Sequence, residues 1–571
     1  MKVFRSAVSL ALALVLALPG PAVPGASSPP VRAKQGMVVS AHHLASQVGV
    51  EVLKKGGNAV DAAIAVGFAL AVTHPAAGNI GGGGFLIYRS AKGEVRAFDF
   101  REKAPAAAHE KMFLDARGEY DRVAHHDSYL SVGVPGTVAG FFLAHEKLGS
   151  LPMKDLLAPA IRLAEEGFPL SWHLAEEFRR FAPRFRQYPA SAAVFLKGDN
   201  EYYEPGEIWR QKDLARSLRR IQEKGRDGFY RGETARLLAE AMRKNGGLIT
   251  EADLAAYEAK ERTPVRGTYR GYEVISMCPP SSGGVALLEM LNIVEGFDLQ
   301  AYGHGSAMHL HLMAEAMRRA FADRARYLGD PDFNPDLPLS RLISKGYAAE
   351  LRRSISLNQA SASDPVRFND VAESEETTHY SVIDAAGNAV VVTYTLEDAY
   401  GSKIIAEGTG FLLNNEMGDF NPQPGRTDET GLIGTPPNLV APGKRMLSSM
   451  TPTMLVKDGQ TFLLIGSPGG RTIINTVFQV VVNVVDFQMD IGEAIAAARI
   501  HHQWLPNVLR VEKGGISPDT ARLLRMMGHD VQFSTSSRSQ GRAMGIQVDL
   551  RTGIRLGAAD PREPDAAAIG Y

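Results

Sequence analysis

The sequence predicts a layered α+β fold, on three observations. Residues 150–370 carry helical periodicity, as in 306–327. From Thr377 onward the texture changes to short β-rich runs, at 379–384, 389–396, 410–413 and 461–465. A helical stretch, 472–487, follows the last run, so strands are flanked by helices on both sides in sequence, the arrangement that packs helical layers onto sheets.

Taken from the N-terminus, residues 1–28 hold two cations, Lys2 and Arg5, an apolar run at 7–18, then proline and small residues to Ser28. This is the plan of an export signal, and the run is too short for a comfortable membrane-spanning helix. An exported chain, periplasmic or extracellular, is expected, with no stable membrane span. A short strand follows at 36–40, then a helical stretch, 45–70, interrupted at Lys54-Lys55-Gly56-Gly57-Asn58, where Gly57 or Asn58 caps a second, small and apolar helix. The turn Gly78-Asn79-Ile80-Gly81-Gly82-Gly83-Gly84 enters a strand rather than a helix and lacks a following Lys-Ser/Thr. It is therefore a place of close backbone approach and not a phosphate loop. The stretch 354–376 is charged and irregular and reads as an exposed, poorly ordered segment.

Composition bounds the function. Lys plus Arg number 62 and Asp plus Glu 63, in a chain that is 45% hydrophobic. That balance gives no electrostatic footprint for nucleic acid. The single cysteine, Cys278, excludes an internal disulfide and is read as a packed residue. The histidines pair as neighbours at 42–43, 125–126 and 501–502, which in a strand point to opposite faces, and His309 and His311 lie two apart in a helical stretch. None has the spacing of a zinc helix, so neither metal nor cofactor is expected.

The run Thr377-Thr378-His379-Tyr380-Ser381-Val382-Ile383-Asp384 and the run from Asn388 to Thr395 flank Ala385-Ala386-Gly387, a three-residue hairpin loop with glycine in the position that needs positive φ. If Asp384 faces Asn388, the paired numbers sum to 772 and Thr377 faces Thr395, with Cβ atoms about 5 Å apart. On its own, such a pair is more often a structural feature of threonine-rich strands. However, a flexible charged segment runs straight into this strand. Cleavage between Glu376 and Thr377 would leave a free amine of pKa about 8 on a rigid strand, beside its own hydroxyl. One residue would then supply both nucleophile and base.

With these residues in view, the chain resembles the gamma-glutamyltransferases. The matching motifs are Thr377-Thr378-His379-Tyr380-Ser381, Leu412-Leu413-Asn414-Asn415-Glu416-Met417, Arg445 through Thr453, Gly466-Ser467-Pro468-Gly469-Gly470, Asp99-Phe100-Arg101-Glu102, the glycine-rich turn after Asn79, and Ala559-Asp560-Pro561-Arg562. They run in order over nearly the whole chain after the signal. The resemblance implies a four-layer αββα sandwich of the N-terminal nucleophile hydrolase type. It implies a precursor that cuts itself at Glu376-Thr377 into a large subunit, 29–376, and a small subunit, 377–571, which share one core as a heterodimer. It implies transfer of a gamma-glutamyl group from glutathione or a related donor, through an ester on Thr377, to water, an amino acid or a peptide.

The resemblance also implies site residues, and each has a physical reading. Thr395 would bond the nucleophile Thr377. Gly469 and Gly470 would offer backbone N–H groups as an oxyanion hole. Arg101, with Ser448 and Ser449, would bind the donor's α-carboxylate, since a guanidinium can clamp it with two parallel bonds. Glu397, Glu416 and Asp419 would hold its α-ammonium. Many members carry Asn where this chain has Glu397, and lids of the family often carry an aromatic residue where this chain has Thr430, within the lid-length stretch 422–437. Two rival readings remain. A cephalosporin or glutaryl acylase shares fold and nucleophile, but its acyl group lacks the ammonium that three acidic residues await. A noncatalytic secreted binding protein would stay uncut.

Overall fold

Two seven-stranded, largely antiparallel sheets form the centre of the computed structural model, which describes residues 27–198, 200–363, 376–430, 434–535 and 540–571. The export signal thus lies almost wholly outside the described residues, as does most of the charged stretch before Thr377 and the tip of the 422–437 segment. One sheet runs, edge to edge, Val31–Ala33, Arg555–Ala559, Met544–Val548, Gln460–Gly466, Thr453–Lys457, Tyr272–Ser276 and Val265–Tyr269. The other runs Ala567–Gly570, Met37–Ser40, Glu376–Ile383, Ala389–Glu397, Gly83–Arg89, Val95–Asp99 and Lys260–Arg262. The central strands of the two sheets pack face to face, and Tyr380, Val382, Val391, Leu463 and Ile465 are fully or almost fully buried.

Helices cover both outer faces. His43–Lys54 and Ala59–Thr73 lie on the sheet that holds Thr377, and Gly283–Val294, Thr472–Val485 and Ile491–Ala496 lie on the other. Every residue of Ala59–Thr73, Gly283–Val294 and Thr472–Val485 is buried. That explains why Ala59–Thr73 is apolar nearly all round, while the polar row Asn475, Gln479 and Asn483 of Thr472–Val485 is buried with its hydrogen bonds made inside. The expected cap is Asn58: its side chain accepts from Val60 N (2.9 Å) and Asp61 N (3.0 Å), while Asp61 reaches back to Asn58 N. The four-layer αββα order is therefore the observed fold.

The hairpin forms in the expected register. Thr378 faces Tyr394, His379 faces Thr393, and so on to Ile383 facing Ala389, all on the predicted sum. Gly387 takes φ +91° in the loop. One end departs: Glu376 faces Glu397, so a bulge lies at Thr377, the residue next to the predicted cut. Two expectations need correction. Residues 410–413 form no strand; a single bridge joins Leu412 to Ile405, because the chain here is wedged against the glycine-rich turn, with Leu412 O where a Gly81 Cβ would stand. His125 and His126 sit on the short helix Arg122–His126, and not on a strand.

The glycine-rich turn fulfils its reading. A Cβ on Gly82 would fall 2.0 Å from Thr395 O, and one on Gly84 2.4 Å from Thr393 O. Only glycine lets this turn lie against the second strand of the hairpin. Asn79 completes the joint, donating from Nδ2 to Thr395 O (2.8 Å) and accepting from Gly82 N and Thr137 Oγ1.

Candidate active site

The bulged end of the hairpin opens into a small cavity lined by Arg101, Thr377, Thr395, Glu397, Glu416, Asp419, Ser448, Ser449, Met450, Gly470 and Ile473. All six residues expected to bind substrate line it, as do both threonines. Gly469 stands one residue behind Gly470. All the lining residues are buried except Asp419 and Gly470, which mark the way out to solvent. A larger groove exists between residues 187–194, 210–214, 237–245 and 405–410, but it shares no lining residue with this cavity.

Thr377 Oγ1 donates to Thr395 Oγ1 at 3.4 Å, and Thr395 Oγ1 also accepts from Glu397 N at 2.8 Å. Thr395 is thus an acceptor toward the Thr377 hydroxyl. Glu397 holds φ +84°, a region that non-glycine residues enter at a cost, and this kink turns the strand end so that Glu397 joins the cavity wall. Its carboxylate meets Asn415 Nδ2 and lies 3.3 Å from His126 Nδ1. His379, next but one to Thr377, is fully enclosed. It bonds Thr393 Oγ1 (2.8 Å) and Ser381 Oγ (3.1 Å), and burial holds its pKa down at about 3, so it is neutral and structural.

On the opposite wall, Gly469 (φ +129°) and Gly470 (φ +53°) follow the strand Gln460–Gly466 and lead into Thr472–Val485. Their N–H groups meet no acceptor among the described residues. They stand at the N-terminal end of a fourteen-residue helix, where the backbone favours negative charge.

Arg101, expected to meet the donor's α-carboxylate, here faces acidic groups expected to hold its ammonium. Arg101 is fully buried, and its guanidinium faces Glu416, Asp419 and, at 3.5 Å, Glu102, with further contacts at 3.3 Å to the carbonyls of Met446 and Leu447. A buried guanidinium is costly unless paired, and these carboxylates are what surrounds it. Arg101 thus meets Glu102, Glu416 and Asp419 together. Burial, with Arg101 opposing, raises Glu102 to about 8, and burial with Glu102 and Glu397 nearby pushes Glu416 well above the usual carboxylate range. Asn414 fixes this wall: its Nδ2 donates to Gly81 O and Gly133 O, and its Oδ1 accepts from Gly133 N and Glu416 N.

The serines lie at the far end. Ser448 Oγ accepts from Met450 N at 3.1 Å, and Ser449 Oγ accepts from Arg324 Nη2 at 3.0 Å. Thr430 is exposed and turned onto Asp428, to which its hydroxyl donates at 2.6 Å. The 422–437 segment is anchored at its base by Asn421 to Thr435 and by Arg426 to Glu119.

Sequence reasoning missed Glu102, His126 and Arg324. Glu102 had a signal in its adjacency to Arg101. His126 and Arg324 come from elements distant in sequence and carried none. Among the described residues, His311, Glu315 and His529 group atoms at metal-ligand spacing, a trio that the His309–His311 spacing concealed. Glu315 there already accepts from Arg318, Arg319 and Ser361, and two adjacent guanidinium groups disfavour a metal cation. Cys278 is buried, with its thiol raised to about 12 by burial first, as befits a packed residue.

Two face-to-face antiparallel sheets between helical layers, with a threonine hydroxyl at the start of a central strand facing glycine amides, define an N-terminal nucleophile hydrolase. The family profile described as gamma-glutamyltranspeptidase matches residues 45–570, and the chain belongs to that family. It is 50% identical to the glutathione hydrolase proenzyme of Escherichia coli (strain K12) over 545 residues, covering 95% of this chain and 93% of that one. It is 45% identical to the glutathione hydrolase proenzyme of Pseudomonas sp. (strain A14), covering 96% of each. Among solved structures, the cephalosporin acylase from Bacillus halodurans superposes with a TM-score of 0.84 at 29% identity, covering 98% of this chain and 99% of that one.

Proposed function

We propose that this chain is the precursor of an exported enzyme that moves gamma-glutamyl groups from glutathione or related donors to water, amino acids or peptides. One observation carries the reading. The Thr377 hydroxyl, bonded to Thr395, shares a small buried cavity with three carboxylates, two serine hydroxyls and a glycine amide.

In maturation, Thr377 Oγ1 attacks the carbonyl carbon of Glu376. The C–N bond to Thr377 breaks as the C–O bond forms, and water then hydrolyses the ester, leaving a carboxylate on Glu376 and an amine on Thr377. The bulge takes this linkage out of the regular ladder. Residues 29–376 become the large subunit and 377–571 the small one, held together as a heterodimer, since each sheet draws strands from both sides of the cut.

In turnover, the new amine accepts the Thr377 hydroxyl proton while Thr395 Oγ1 orients that hydroxyl. The oxygen attacks the donor's γ-carbonyl. The oxyanion is met by the N–H groups of Gly469 and Gly470 at the helix N-terminus, a contribution of several kcal/mol in such sites. The leaving amine takes the proton, and the acceptor reverses the sequence on the ester. The donor's α-ammonium enters among Glu397, Glu416 and Asp419. Its α-carboxylate meets Ser448 and Ser449 within the field of Arg101.

The acylase reading has in its favour the close superposition on a cephalosporin acylase and 39% identity over 537 residues to an acylase proenzyme of Pseudomonas sp. (strain V22). Against it stands the excess of carboxylates over cations in the cavity, which an acyl group without an ammonium leaves uncompensated. Intact-mass measurement of purified protein, wild type and Thr377→Ala, tests the proposal. Two fragments, the smaller starting at Thr377, are expected for the first and a single chain for the second. A wild-type fragment beginning elsewhere with full activity, or a clear preference for a glutaryl over a gamma-glutamyl amide, overturns it.

A further inference from the structure

We propose that Arg324 is a positioning residue for donor recognition: it sets the Ser449 hydroxyl as a hydrogen donor toward the substrate's α-carboxylate and, through Ser282, braces the main chain of Ser448 beside it. The inference rests on the reading of those serines given above and goes one shell further into the protein.

Arg324 lies near the end of the helix Ala307–Tyr327 and is 2% exposed. It does not line the cavity. One edge of its guanidinium makes two bonds, Nε to Ser282 Oγ at 2.8 Å and Nη2 to Ser449 Oγ at 3.0 Å. A guanidinium only donates. Ser449 Oγ therefore accepts from Arg324, which directs its single hydrogen to donation.

The second bond reaches Ser448. Ser282 Oγ accepts from Arg324 and donates onward to Ser448 O at 2.7 Å, a carbonyl that also accepts from Ser282 N at 2.7 Å. Ser448 N in turn donates to Pro280 O at 2.9 Å. Ser448 is thus pinned by main chain and by Ser282, and its own Oγ accepts from Met450 N. Both serines then present hydroxyl hydrogens as donors, the polarity an incoming carboxylate requires.

Arg101 cannot replace this function in full. Its guanidinium is already in contact with Glu416, Asp419 and two carbonyls. Arg324 adds a positive charge behind the serines and orders them at once. Lysine has one nitrogen where arginine presents a fixed two-nitrogen edge, so it can keep one of the two bonds but not both.

The test compares two donors, L-γ-glutamyl-p-nitroanilide and 4-aminobutyryl-p-nitroanilide, which lacks only the α-carboxylate. For Arg324→Gln, KM for the first is expected to rise about 10- to 100-fold, the range for hydrogen bonds to a charged group, with kcat within about threefold. kcat/KM for the second is expected to change less than about threefold, because the lost interaction has no partner there. Arg324→Lys is expected to recover part of the loss.

Equal loss on both donors, or no loss on the first, overturns the inference. Ser449→Ala separates the two levels. If it too fails to discriminate between the donors, the serine reading itself falls. If it discriminates and the Arg324 variants do not, only the role of Arg324 falls. Should Arg324→Gln not mature, Arg324→Lys carries the comparison, and loss of maturation in both counts against a role confined to donor binding.

Discussion

Replacing Thr395 by valine probes the nucleophile's environment with little change of shape. Valine keeps the β-branch that suits this strand and removes one oxygen. That oxygen accepts two bonds, from Glu397 N at 2.8 Å and from the Thr377 hydroxyl at 3.4 Å. Losing the first leaves a buried amide without its partner, about 1–3 kcal/mol of stability. Losing the second acts on the reaction. A neutral hydrogen bond contributes about 1–1.5 kcal/mol net, and at 1.36 kcal/mol per tenfold this slows acylation about 5- to 12-fold. The assay is the pre-steady-state burst of p-nitroaniline from a gamma-glutamyl anilide, on protein confirmed by mass to be fully cleaved. Thr395→Ser, which keeps the acceptor, is expected to stay within about threefold of wild type. An acylation rate for Thr395→Val within about twofold of wild type would refute the argument, since the hydroxyl–hydroxyl contact would then contribute nothing in the transition state.

Gly469→Ala places a Cβ 2.4 Å from Thr472 Oγ1 in a backbone held at φ +129°, so the loop must shift and its amides with it. A fall in kcat of about 10²- to 10³-fold, with a smaller change in KM, is expected from steady-state kinetics. The buried acid cluster predicts a pH dependence. Glu102 holds its proton more tightly folded than unfolded, with its value raised from 4.5 to about 8. Its contribution to stability is full below its ordinary value, declines as pH rises, and is gone once pH has passed the raised one. Thermal unfolding followed from pH 5 to 9 should therefore show a melting temperature that falls with pH, and Glu102→Gln should flatten that slope; an unchanged slope in the variant excludes Glu102 as its source.

What the sequence made legible was local. The hairpin register follows from alternation along two runs joined by a glycine that can take positive φ, and all of that lies within twenty residues. Asn58 as a cap, the breaks at 54–58 and the helix after Ser306 have the same character. The expected cavity residues also came together, because the motifs that carry them are short and each sits at the end of one element. What stayed hidden depends on chain segments far apart. The bulge at Thr377 goes with the left-handed turn at Glu397, which no propensity announces for a glutamate. The facing of Arg101 onto Glu416 and Asp419, in place of opposite walls, is set by which groups share one dry volume, a property of the packed sheets and not of any single run. Residues 410–413 read as a strand from their apolar character, yet burial there comes from a loop wedged against the glycine-rich turn.

The same topology explains how the proposed cut immediately before Thr377 would leave that residue fixed. The strand Glu376–Ile383 is bonded on one side to Met37–Ser40 and on the other to Ala389–Glu397. Beyond Met37–Ser40 lies Ala567–Gly570, the last strand of the chain, and beyond Ala389–Glu397 lies Gly83–Arg89. Strands from before and after residue 377 therefore meet at three ladders across this sheet: Ala567–Gly570 with Met37–Ser40, Met37–Ser40 with Glu376–Ile383, and Ala389–Glu397 with Gly83–Arg89. Separating the two parts would break all three ladders and expose a buried apolar face with them. The linkage between Glu376 and Thr377 adds little to this association, because it lies at the strand's end, outside the regular register. The proposed cleavage would therefore free the amine of Thr377 while the cross-strand bonds that position its side chain against Thr395 remain.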